Sequence, residues 1–105
     1  MSDEYLTWVE DDLEKIDEAW HDLEAGRGDP KKNLGRIFEL AHDMKGQGGS
    51  FGYDLMTTIG NQLCRFIEDL DDVGPREKKV IELHVDAMKV VIGNRMKGDG
   101  GATGQ

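Results

Sequence analysis

The sequence has a single cysteine, two prolines, and no apolar run approaching the roughly 18 residues of a membrane span. It is also short of basic residues. A lone Cys64 can close no internal disulfide, and it fits a reducing, cytoplasmic setting. Thirteen Lys and Arg stand against 22 Asp and Glu, a net charge of -9, so the surface repels phosphate backbones and anionic lipid. That balance argues against nucleic acid and membrane as partners. The opening Met1-Ser2-Asp3-Glu4 is acidic where a secretory signal would be basic and then apolar. There is no GxxxxGK[ST] phosphate loop, and hence no sign of an ATP-binding kinase domain. No strand pattern and no internal repeat is visible. At 105 residues the chain is expected to form one domain.

What is present is helical periodicity. Leu6, Val9, Leu13, Ile16, Trp20 and Leu23 recur every three or four residues and predict an amphipathic helix over 4–25. It should stop at Gly26-Arg27-Gly28, with Asp29 as N-cap and Pro30 as the first residue of a second helix. Leu34, Ile37, Phe38, Ala41 and Met44 mark the buried stripe of that helix, which is expected to be interrupted at Gly46, Gly48 and Gly49. A third helix should begin near Tyr53 or Asp54, bury Leu55, Ile59, Leu63, Phe66 and Leu70, and end at Gly74. Pro75 then opens a fourth through about Met96. Its apolar residues cover much of the circumference, so it is expected to be the most buried helix or an association surface. The expected fold is all-α, an up-down-up-down four-helix bundle over 1–97, followed by a disordered C-terminal tail over 98–105 that has no large apolar anchor.

The chemistry concentrates in Ala41-His42-Asp43-Met44-Lys45-Gly46-Gln47-Gly48-Gly49-Ser50-Phe51-Gly52. At about 100° per residue, Gly35, Gly46 and Gly49 fall within roughly 40° of His42 around the helix. Each interior glycine costs about 1 kcal/mol relative to alanine, so the lane needs a compensating reason. Close approach supplies one, because an imidazole without neighbouring side chains is reachable by another protein's active site. Lys45, one turn on, can direct its ammonium towards an anion carried by His42. A neutral imidazole nitrogen is a nucleophile near neutral pH, and a phosphoryl group on it would bring nearly two negative charges.

The run His42-Asp43-Met44-Lys45-Gly46, with Phe51-Gly52 after it, resembles the phosphoacceptor signature of histidine phosphotransfer (HPt) domains. Gly48-Gly49-Ser50-Phe51-Gly52-Tyr53 is especially similar to the phosphotransfer domain of chemotaxis-type histidine kinases. The resemblance implies that His42 is the phosphorylated residue, that Lys45 steadies the phosphate and that Gly46 gives the partner room. It also implies a phosphocarrier without kinase activity that relays phosphate to and from receiver-domain aspartates or a sensor histidine kinase. No cofactor is implied on this chain, and Mg²⁺ is expected on the partner receiver. A monomer is favoured over a dimer. Many members of the family place Gln or Glu on the third helix to hold the other imidazole nitrogen. Here Cys64 occupies that offset, so either Asn61, one turn earlier, substitutes for it or water alone orients the ring.

Three other readings compete. His21 and His84 are expected to be ordinary surface or packed side chains. Glu18-x-x-His21 and Glu39-x-x-His42 match an element of di-iron bundles, but the periodicity turns both pairs towards solvent. A bundle that only binds a receiver or kinase domain, without accepting phosphate, would keep the fold and lose the chemistry.

Overall fold

The computed structural model describes residues 3–94, and the side chains of 7–94. Leu6 as a core residue, the extension of the last helix to Met96 and the tail over 98–105 lie outside that range. Within it the chain forms four helices: α1 (Asp3–Ala25), α2 (Pro30–Ser50), α3 (Asp54–Glu68) and α4 (Pro75–Gly93). Each helix packs on two others, α1 on α2 and α4, α3 on α2 and α4, and among the described residues the diagonal pairs are not neighbours.

Cross-helix contacts give the direction of each helix. Trp20 Nε1 of α1 donates to the Lys78 carbonyl of α4 at 2.9 Å, while three residues earlier Asp17 meets Lys89 at 2.7 Å, so α1 and α4 run antiparallel. Trp8 packs edge-on against Phe51, with ring centroids 6.4 Å apart, where the start of α1 passes the end of α2. The result is the up-down-up-down bundle expected from the short links.

The helix starts follow local chemistry. Asp29 caps α2 by accepting from the Lys31 amide at 3.0 Å, with Pro30 in the first turn. Gly26 and Gly28, at φ 74° and 70°, supply the left-handed backbone of that tight turn. At α4 the Gly74 amide donates to the Glu77 carboxylate at 2.9 Å, half of a capping box. The core is continuous: Val9, Ile16, Ile37, Met44, Met56, Leu63, Ile81 and Met88 are all fully buried. Each contributes about 1.5–3 kcal/mol relative to exposure.

Several boundaries and burials differ from expectation, among them the α3 face, where Leu55, Ile59 and Phe66 are half-buried and Met56 and Cys64 are buried instead. The glycines do not interrupt α2, which continues through Gly46, Gly48 and Gly49 to Ser50. Gly48 is buried, and its carbonyl accepts from both Phe51 and Tyr53, so tertiary packing offsets the low helix propensity. Helix α3 stops at Glu68 rather than Gly74. The acidic run Glu68-Asp69-Leu70-Asp71-Asp72 opposes the negative end of the helix dipole, and Leu70 packs against the core from the link instead. Nor is α4 the most buried helix, since Leu83 and Val90 remain 56% and 54% exposed on its outer side.

Candidate functional site

His42 lies on the outer face of α2 and is exposed. Its ring stacks loosely on Phe38, one turn earlier, with centroids 6.2 Å apart and planes 21° from parallel. Among the described residues no hydrogen bond or ion pair reaches the imidazole. The other two histidines differ in this respect. His21 Nδ1 donates to the Asp17 carbonyl and His84 Nδ1 to the Val80 carbonyl, each at 2.8 Å and each to the residue four back. For His42 the equivalent acceptor is the Phe38 carbonyl, and the Cys64 thiol already points at it from α3 at 3.7 Å. Among the described residues His42 therefore has neither ring nitrogen engaged, and a nucleophile needs one of them free.

The surroundings of His42 are asymmetric. Towards α1 lie Glu39 and Asp43, followed by Asp12, whose carboxyl is held above the usual 3.8 by burial, against an opposing pull from Lys15 and with a further push from Asp43. Towards α3 lie Lys45 and Asn61. Lys45 is half-buried, and its ammonium donates to Asn61 Oδ1 at 3.2 Å. Its backbone carbonyl accepts from the Thr57 hydroxyl at 2.9 Å. Burial pushes the Cys64 thiol up, partly countered by Lys45.

Gly35 and Gly46 open onto free space, since a Cβ built on either meets nothing within 4 Å. Gly49 is also exposed, but a Cβ there would stand 3.3 Å from the Thr57 hydroxyl of α3. Asn61 and Cys64, the two candidates for orienting the ring, both engage α2 elsewhere, Asn61 at the Lys45 ammonium and Cys64 at the Phe38 carbonyl. The Glu-x-x-His pairs do not converge: Glu18 and His21 border one surface depression with Arg27 and Arg36, and Glu39 and His42 border another. Among the described residues no three His, Cys, Asp or Glu side chains are placed to share a metal ion.

One residue of this region escaped the sequence reading. Gly60 on α3 is buried, and a Cβ there would lie 2.7 Å from Lys45 Cβ and 3.1 Å from the Ala41 carbonyl. It lets α2 and α3 close directly behind the His42 face. The signal was available, since Gly60 is a helix-interior glycine on the same side of α3 as Met56, Leu63 and Cys64, where a small residue implies backbone contact.

The site is thus an exposed histidine followed one turn later by a half-buried lysine on one helix of a four-helix bundle. The family model described as Hpt domain matches residues 1–89, most of the chain. The chain belongs to the Hpt domain family, whose members are phosphocarriers rather than catalytic enzymes. They take part in phosphorelays and interact with the receiver domains and kinases of two-component systems. No curated protein and no solved structure matches the chain. Among the described residues no helix is long and apolar enough to cross a membrane.

Proposed function

We propose that this chain is a phosphocarrier in which His42 accepts a phosphoryl group from a receiver-domain aspartyl phosphate or a kinase, and hands it to a second receiver. The observation that carries the assignment is the state of the three histidines: His21 and His84 are tied to their own helices, whereas His42 is exposed with both ring nitrogens unengaged. In the forward step an imidazole nitrogen lone pair attacks phosphorus, the bond from phosphorus to the aspartyl oxygen breaks, and the carboxylate leaves with the electron pair. Onward transfer is the reverse displacement on another aspartate. Little covalent chemistry is required of the carrier itself, and its part is access and charge. Gly35 and Gly46 supply access, and Lys45 supplies the cation that meets the phosphoryl charge. The Mg²⁺ that such a transfer uses belongs to the receiver. The setting is cytoplasmic, with receivers and a histidine kinase as partners and the carrier acting as a monomer.

The test is incubation with phosphorylated receiver domains while following acid-labile, base-stable label. His42→Gln should abolish labelling and retain the helical spectrum of the parent. Label that persists in that variant, or that tracks with His21 or His84, refutes the assignment.

A further inference from the structure

Three residues of α3 converge on a single residue of α2. The Thr57 hydroxyl bonds the Lys45 carbonyl, Gly60 brings the α3 backbone against the Lys45 Cβ, and Asn61 Oδ1 accepts from the Lys45 ammonium at 3.2 Å. Lys45 is thereby held at its backbone, at its stem and at its charge. A surface lysine ordinarily has four freely rotating torsions, and ordering them carries an entropic cost. In this chain the cation beside the histidine face is held in place before any phosphate arrives, whereas the histidine is left untied.

We infer that Asn61 is a positioning residue for Lys45: its side-chain oxygen parks the ammonium at the α2–α3 seam beside the His42 face, so that an incoming phosphoryl group meets a pre-placed charge. This rests on the phosphocarrier reading and extends it by assigning Asn61 to the lysine rather than to the imidazole. One neutral oxygen suits that task. It accepts from the ammonium strongly enough to order it, yet carries no net charge, so the lysine can exchange Asn61 for the more strongly attracting phosphoryl oxygens. An acidic residue at 61 would compete with the phosphoryl group for the same cation and would repel it as well.

The experiment uses the whole chain and phosphoramidate, a small donor from which a histidine nitrogen displaces ammonia at phosphorus. Lys45→Ala, Asn61→Ala and the double variant are labelled beside the parent, and ¹³C relaxation of the Lys45 ε-methylene is measured in the chains that retain it. Asn61→Ala should leave the lysine as mobile as the exposed Lys31 and Lys32, and should slow His42 labelling by about threefold to tenfold, the scale of one partly solvated charge-assisted hydrogen bond. In the Lys45→Ala background the same substitution should change the rate by less than about twofold, because a residue that acts only through Lys45 has nothing left to act on. Asn61→Asp, which keeps the acceptor, should restore the order of Lys45. An ordered lysine in Asn61→Ala, additive losses in the double variant, or a mobile lysine in Asn61→Asp each overturns the inference while the carrier reading stands. A parent chain that takes no label at His42 overturns the carrier reading and this inference with it.

Discussion

Replacing Gly60 by alanine sets a gain in helix propensity against a steric clash. Alanine gains up to about 1 kcal/mol in helix propensity. Against this, the new methyl would stand 2.7 Å from Lys45 Cβ and 3.1 Å from the Ala41 carbonyl oxygen. Neither is the far end of a flexible side chain. One is the first carbon of a residue whose backbone is bonded to Thr57, and the other is a carbonyl within α2. To bring the closer pair to ordinary van der Waals contact, α3 must move away from α2 by about 0.7 Å or more. Overpacking of this kind typically costs about 1–3 kcal/mol, and because backbone must yield the upper half of that range applies. The net loss is then about 1–2 kcal/mol, and a domain of this size should melt about 5–15 °C lower. The assay is thermal unfolding followed by far-UV circular dichroism, with Gly35→Ala as control, since Gly35 has nothing within 4 Å of its Cβ and should hold or raise the melting temperature. A Gly60→Ala chain that melts at or above the parent would refute the close approach of α2 and α3 behind the His42 face.

Gly46→Gln should keep or raise the melting temperature, because a Cβ at 46 meets nothing within 4 Å, yet cut receiver phosphotransfer by about tenfold or more through displacement of the partner. Transfer at the parental rate would remove Gly46 from the access route. Asp12 supplies a pH test. Its folded pKa is raised, chiefly by burial, so folding favours the protonated form. The stability it contributes is full below the unfolded value near 3.8 and is lost as pH rises through the raised folded value. Asp12→Asn keeps the neutral form at every pH, so it should be more stable than the parent at neutral pH, with the gap closing in acid. Denaturant midpoints at several pH values read this directly, and a gap that widened in acid would contradict it.

The sequence by itself determined the elements and much of their grouping. Periods of three and four in Val9, Leu13, Ile16 and Trp20, and in Leu34, Ile37, Ala41 and Met44, specify helical faces. Asp29-Pro30 and Gly74-Pro75 specify where two helices begin, because caps and fixed φ angles act over one turn of chain. The His42, Lys45 and Gly46 spacing was likewise legible, since side chains three and four residues apart share a helix face wherever the helix is placed. Only the tertiary structure decided that α2 runs through its glycines, because a buried Gly48 beneath neighbouring helices outweighs a propensity that isolated chain would follow. Only it decided what Asn61 and Cys64 touch. Their offsets on α3 place them opposite α2, but the distance between the helices selects the atom each one meets. That distance is governed by Gly60, a residue whose role lies in the absence of a side chain and so becomes visible only when the facing helix is in place.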